Sequence, residues 1–290
     1  MKCFFLSSLI CSFCFFPVMA IKEVPVPIKI YPQGAPQSND IADSERFDGF
    51  CVDNITDPEI IVFSPPQHKN TGVAMLICPG GAYIREAVVH EGYEVGEWLA
   101  SEGITGIVLK YRLPNKHKEI PLLDVQTAMN WIHQKSDSLH IHPDKIGVSG
   151  FSAGGHLAAM SGTRLRGIER PDFMVLFYPV ISMTDSLTHK GSRSNLLGHL
   201  FTETDIYDYS AEKQVTQNTP PTLLLLSDDD VVVTPLNSIV FYQALKANKV
   251  KSSLCIFPVG GHGWGYNKEF DYHDDWKSLL IRWLRDNRIL

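Results

Sequence analysis

Short apolar runs alternating with amphipathic helical stretches constrain this chain more than any other feature. Strand-like runs fall at residues 59–63, 73–78, 105–109, 145–149, 173–178, 222–226 and 252–257, each about as long as an ordinary strand of 5–6 residues. Helical segments fit between and after them at 90–101, 122–135, 153–164, 237–248 and 274–285. In the last, Trp276, Leu279, Leu280 and Trp283 recur three or four residues apart, the spacing of one buried face. Such β–α alternation implies an α/β fold, with a mostly parallel central sheet covered by helices on both faces. The rhythm breaks between the strand ending near Tyr178 and the one opening at Thr222. Residues 179–221 contain scattered His, Ser, Tyr and Gly with apolar anchors at Leu196, Leu197, Leu200 and Phe201. A stretch this far beyond about 15 residues is usually functional or disordered. It reads either as an ordered cap over a site or as a structural excursion with one short helix.

The 290 residues are 44% hydrophobic and 20% charged, enough apolar material for a sizeable core and no sign of disorder. Residues 49–290 are expected to form one domain, since α/β folds often reach roughly 200–250 residues undivided. A net charge of −6, without a basic cluster, argues against a nucleic-acid partner. Residues 1–20 read as a signal peptide. Lys2 precedes an apolar run over 3–16, and Val18 and Ala20 suit cleavage after Ala20. The run is shorter than the roughly 20 residues a spanning helix needs, so the expectation is a secreted or periplasmic protein with no integral membrane segment after cleavage. Residues 21–48 form a Pro-rich arm, where Pro25, Pro27, Pro32 and Pro36 block helix and confine any strand to an edge. After cleavage Cys51, Cys78 and Cys255 remain. They are expected as free, mostly buried thiols, and their spacing suggests no metal site. No organic cofactor is called for.

The chemistry centres on Val148-Ser149-Gly150-Phe151-Ser152-Ala153-Gly154-Gly155-His156, a G-x-S-x-G between an expected strand and an expected helix. Flanking glycines let the backbone pass through a sharp strained turn, so that the Ser152 hydroxyl projects from the top of the sheet at a helix N-terminus. A serine hydroxyl needs a base within hydrogen-bond reach, and the base needs a third group to orient it. In this type of fold the chain order is Ser, acid, His. His262 stands out in Gly260-Gly261-His262-Gly263-Trp264-Gly265, directly after the last strand. His156 is expected to pack or cap on the helix, His189 and His199 fall in the cap, and His273 reads as a solvated helix start. The acid lies after the run 223–226, where Asp228, Asp229 and Asp230 are adjacent and only one of them can point at His262.

With these motifs, and with Tyr111-Arg112-Leu113-Pro114 and Thr188-His189-Lys190-Gly191-Ser192-Arg193, the chain resembles the α/β-hydrolase superfamily. Within it the likeness is to the secreted acetyl-esterase and acetylxylan-esterase-like branch, with hormone-sensitive-lipase-like features. The resemblance covers the chain from about Glu59 onward. It implies an acid followed, one residue later, by Val-Val and then Pro, which Asp230 fits best; Thr234 intervenes before Pro235, and Asp229 is the second candidate. It also implies an oxyanion hole in Cys78-Pro79-Gly80-Gly81-Ala82-Tyr83, where relatives carry His-Gly-Gly-Gly. Backbone N–H groups of Gly81, Ala82 and Ala153 are the implied donors, with the geometry at Ala82 in question because its Cβ excludes dihedrals open to glycine.

The activity so implied is that of a serine carboxylesterase acting through an acyl-enzyme. It would remove short acyl groups, foremost O-acetyl groups of plant polysaccharide such as acetylated xylan. Tyr83, Trp264, Arg193 and His189 are the expected substrate contacts, with Trp264 equally readable as a core ring and Arg193 and His189 as groups that solvate the loop. A feruloyl or general short-chain lipase-like esterase would differ in acyl-pocket volume. A serine peptidase of the prolyl-oligopeptidase type shares the residue order but needs a propeller domain for which this chain is too short. A catalytically silent binding module is opposed by the presence of Ser, Asp and His together.

Overall fold

The computed structural model describes residues 24–290. The expected signal peptide lies outside the described residues. In chain order the strands are β1 (Ile28–Lys29), β2 (Arg46–Phe47), β3 (Val52–Asp53), β4 (Glu59–Phe63), β5 (Ala74–Cys78), β6 (Arg85–Glu86), β7 (Thr105–Lys110), β8 (Ile146–Phe151), β9 (Met174–Phe177), β10 (Thr222–Ser227) and β11 (Ser252–Phe257). The helices are α1 (Glu94–Ser101), α2 (Ile120–Leu139), α3 (Ser152–Arg164), α4 (Lys190–Leu197), α5 (Glu203–Tyr209), α6 (Leu236–Ala247) and α7 (His273–Asp286). An eight-stranded sheet runs in the order β1-β4-β7-β5-β8-β9-β10-β11. Its β7-to-β11 portion is parallel throughout, while β4 and β1 add antiparallel at one edge. The two-residue strands β2, β3 and β6 pair antiparallel in a separate small sheet.

Strand periodicity divides the core in two. Along β5, Ala74, Leu76 and Cys78 pack with α2, α3 and α6 on one face, while Met75 and Ile77 pack with α1 and α7 on the other. In α7 the expected apolar face is in place through Trp276, Leu280 and Trp283, with Leu279 at its 38%-exposed margin. The arm is fastened to the domain by side chains. The Asn39 amide donates to the carbonyls of Ile55 and Leu113, both at 2.8 Å. Arg112, fully buried with Asp124 at 2.6 Å, reaches Gln37 O. A buried ion pair is tolerable when its remaining donors are used, and here they tie the Tyr111-Arg112-Leu113-Pro114 segment to the arm. Among the described residues Cys51, Cys78 and Cys255 are all free, and of these only Cys78 is fully buried.

Residues 179–221 hold two helices, α4 and α5, rather than the single short one of the alternative expectation. Leu196 and Leu197 anchor the segment, whereas Leu200 is 98% exposed and anchors nothing. The chain passes from β5 through α1 to β7 on one side, then through α2 to β8 on the other. The carboxyl ends of β5 and β8 therefore flank a crevice where the winding reverses, the usual place for a site in such sheets.

Candidate active site

Ser152 opens α3 directly after β8, with φ at +51°. That left-handed conformation is sparsely populated for a non-glycine residue, and it is held by lack of room for anything else. A Cβ on Gly150 would come 2.1 Å from the Gly154 carbonyl oxygen, and one on Gly154 would come 2.1 Å from Cys78 O. The helix thus enters close against the end of β5. Being in its first turn, Ala153 has an N–H without an intrahelical partner.

The loop after β5 lies beside the serine, for a Cβ on Gly80 would stand 3.0 Å from Ser152 Cβ. Ala82 adopts φ +55° and Tyr83 +61°, so alanine takes the left-handed conformation that was in question, at a cost of about 1–2 kcal/mol. The loop is braced from both sides. Gly81 O accepts the N–H groups of Ile84 and Arg85, and Ala82 O accepts the Asn195 amide of α4 at 2.8 Å. Among the described residues, the N–H groups of Gly81 and Ala82 have no internal hydrogen-bond partner.

Ser152, His262 and Asp230 are hydrogen-bonded in series. The Ser152 hydroxyl lies 2.8 Å from His262 Nε2, and His262 Nδ1 lies 2.6 Å from Asp230 Oδ2. The Asp230 side chain is wholly buried, and its Oδ1 accepts the N–H groups of Val232 and Val233, both at 2.9 Å. Asp229 faces elsewhere. Its exposed carboxylate accepts the Gly261 N–H at 2.8 Å and the Gly260 N–H at 3.3 Å, bonds that hold its pKa below the usual carboxylate range. One aspartate therefore orients the imidazole and its neighbour fastens the loop that carries it. Asp228 is exposed.

The expected substrate contacts fare differently. Trp264 is 3% exposed, stacked on Phe270 at 4.4 Å and edge-on to Tyr178 and Phe177, and its indole N–H donates to Ser227 Oγ. Tyr83 is 2% exposed, with its hydroxyl on His156 Nδ1 at 2.8 Å. Neither ring has a face free for a sugar, so both are core residues. The Arg193 guanidinium is engaged within the 179–221 segment, donating to Met183 O, paired with Asp185 at 2.6 Å and lying over the Phe201 ring. His189 is half-buried, and its Nδ1 caps α4 at Ser192. Burial first and then the charge of His262 lower its pKa. His156 packs as expected, its Nε2–H donating to Tyr209 O at 2.7 Å, and burial pushes its pKa down to about 4. His273 is not a plain solvated helix start, since its ring packs edge-on against Tyr266 at 4.7 Å.

Three further side chains shape the site without having been singled out in the sequence: Asn195, Glu91 and Tyr178. Asn195 gives no sequence signal, and Glu91 looks like an ordinary acid in the first turn of the 90–101 helix. Among the described residues no cluster of His, Cys, Asp or Glu could hold a metal ion, and no helix is long and apolar enough to cross a membrane.

The sequence profile of the BD-FAE family matches residues 60–245. An acetylxylan esterase of Xylanibacter ruminicola is 36% identical over 231 residues, 78% of this chain and 48% of that protein. An endo-1,4-beta-xylanase B of Butyrivibrio fibrisolvens is 33% identical over 205 residues, 65% of this chain and 32% of that one. The chain thus spans about half the length of the first relative and a third of the second. Among solved structures, an acetyl ester-xyloside bifunctional hydrolase from Caldicellulosiruptor lactoaceticus superposes with a TM-score of 0.77 at 34% identity, over 92% of this chain and 98% of that one.

Proposed function

Because the chain belongs to the BD-FAE family of α/β-hydrolases, we propose that it is a serine carboxylesterase that removes O-acetyl groups from plant polysaccharide or its oligosaccharides, such as acetylated xylan. The observation that carries this reading is the unbroken series from Ser152 through His262 to Asp230, at 2.8 and 2.6 Å. Ser152 Oγ attacks the ester carbonyl carbon while its proton passes to His262 Nε2. Asp230 keeps Nδ1 protonated and steadies the imidazolium. The N–H groups of Gly81, Ala82 and Ala153 take up the charge on the tetrahedral oxygen, each such donor commonly contributing about 10²–10³ in rate. Collapse breaks the bond to the sugar oxygen, which leaves with the proton from Nε2. Water, deprotonated by the same nitrogen, then cleaves the acyl-serine and releases acetate.

The names of the acetylxylan esterase, the endo-1,4-beta-xylanase B and the acetyl ester-xyloside hydrolase support the choice of substrate. His189 is the one remaining candidate for contact with the leaving sugar, since Nδ1 is used in capping and Nε2 is left over. Export by way of residues 1–20 would bring the enzyme to a polymer too large to enter a cell. The test is acetate release from acetylated xylan by wild type and Ser152→Ala, beside nitrophenyl esters of increasing acyl length. Release lost in the mutant, with a steep fall beyond acetate, is the expected result. Activity that survives Ser152→Ala would refute the mechanism, and a preference for bulky aromatic acyl groups would move the substrate to feruloyl esters.

A further inference from the structure

A buried carboxylate with no part in the proton transfers lies between the two halves of the site. Glu91 is 3% exposed and sits in a π turn, Val89–Tyr93, where the Tyr93 N–H reaches back five residues to Val88 O at 2.7 Å. Such a turn shifts the helical register and redirects the side chains it carries, which is why π turns recur at functional sites. Here it turns Glu91 inward. Oε2 accepts the Gly80 N–H at 2.7 Å, and Oε1 accepts the Tyr178 hydroxyl at 2.7 Å. The same phenol oxygen accepts the Gly265 N–H at 2.8 Å, and the Tyr178 ring packs edge-on against the His262 imidazole, with centroids 4.8 Å apart. One carboxylate therefore grips the peptide just before the oxyanion donors and, through one phenol, both the loop and the ring of the histidine.

Filling this space with a carboxylate is costly unless the hydrogen bonds matter. Among the described residues no lysine or arginine pairs with Glu91, and its nearest basic group is His90 at 3.9 Å. Its site is buried, and an apolar side chain there would avoid the desolvation penalty. We propose that Glu91 is a positioning residue that fixes the oxyanion loop relative to His262, acting through Gly80 on one side and Tyr178 on the other. The inference rests on the esterase reading above. Because the Gly80 N–H is taken up by Oε2, the N–H groups that follow it are left to face the reacting carbonyl.

The experiment compares wild type, Glu91→Gln, Tyr178→Phe and the double variant on nitrophenyl acetate, with thermal unfolding and labelling by a fluorophosphonate measured in parallel. Glutamine still accepts the Gly80 N–H, but its NH₂ group cannot accept the Tyr178 hydroxyl. The expected result is a kcat lowered about 10–100-fold, the loss that a displacement of about 1 Å brings, with KM within twofold and the melting temperature near that of wild type. The double variant should lose less than the product of the two single losses, because both act through one contact. A Glu91→Gln protein with wild-type kcat overturns the inference, as does a loss that merely follows the folded fraction. A wild type that neither hydrolyses esters nor takes the fluorophosphonate overturns the esterase reading and this inference with it. A wild type that does both, beside an unaffected Glu91→Gln, overturns this inference alone.

Discussion

A Cβ at Gly150 or Gly154 would come within 2.1 Å of a backbone oxygen, whereas one at Gly261 or Gly263 would meet nothing within 4 Å. The turn carrying Ser152 is thus held by close packing of backbone on backbone, and the tip of the loop carrying His262 has open space around it. What holds that tip is hydrogen bonding. Asp229 grips its Gly260 and Gly261 amides, Asp230 grips the imidazole, and Tyr178 grips Gly265 behind it. In the proposed mechanism Ser152 needs one fixed attitude, and the close packing at Gly150 and Gly154 supplies it. In the same mechanism His262 gains and loses a proton, and the loop that carries it is held by the carboxylates of Asp229 and Asp230.

The sharpest way to break this contrast is at the paired aspartates. Asp230→Asn should lower kcat by about 10⁴-fold while the protein stays folded, because the amide stabilises the wrong imidazole tautomer; steady-state kinetics beside circular dichroism would check it, and a loss under a hundredfold would contradict the assignment. Next in size is the glycine comparison. Gly154→Ala should cost about 4 kcal/mol or more, since backbone has to move, and Gly261→Ala only about 1 kcal/mol, for its φ of +60° alone. Urea unfolding of both variants would blur the distinction if the two costs came out alike.

A third test concerns pH on the serine side, where α3 carries His156 with its pKa lowered by burial to about 4. The unfolded chain takes up that proton near pH 6.5 and the folded one does not until about pH 4, so the contribution is complete above 6.5 and falls away as pH drops between the two values, by about 3 kcal/mol in all. His156→Gln should flatten this part of the stability curve, and an unchanged slope would count against the burial argument. The smallest effect is at Asp229, whose lowered pKa makes its hold on the loop present above the ordinary carboxylate range and lost as pH falls through the depressed value. Asp229→Asn keeps one acceptor and loses the other, so kcat should fall about three- to tenfold, in line with one hydrogen bond, with no change in melting temperature.

The parallel part of the sheet was legible because its strands are runs of four to six mostly apolar residues bounded by turns. The two-residue strands β1, β2, β3 and β6 are too short to show any period and left no trace in the pattern. At the site, the Gly-x-Ser-x-Gly turn and the Gly-Gly-His-Gly loop were readable for the same reason that they are stiff or open, namely where glycines stand. Asp228, Asp229 and Asp230 could not be separated by composition, since which carboxylate faces His262 depends on the direction of the turn after β10. Neighbourhood along the chain misled for Tyr83 and Trp264. Each follows a residue at positive φ, Ala82 and Gly263, and that reversal turns the next side chain back into the core. Glu91 was hidden by its π turn, which rotates it off the face that an ordinary helix would give it.

The two edges of the main sheet are unequal. At one, β1 contributes two residues behind Pro27, with Pro25 just before it, so the outermost backbone offers few N–H groups to a newcomer. At the other, β11 runs six residues with Ser253 and Ile256 exposed and Cys255 partly so. Among the described residues β11 is therefore the longer open edge of the main sheet, the side on which an incoming strand would meet the longer row of unpaired N–H and C=O groups.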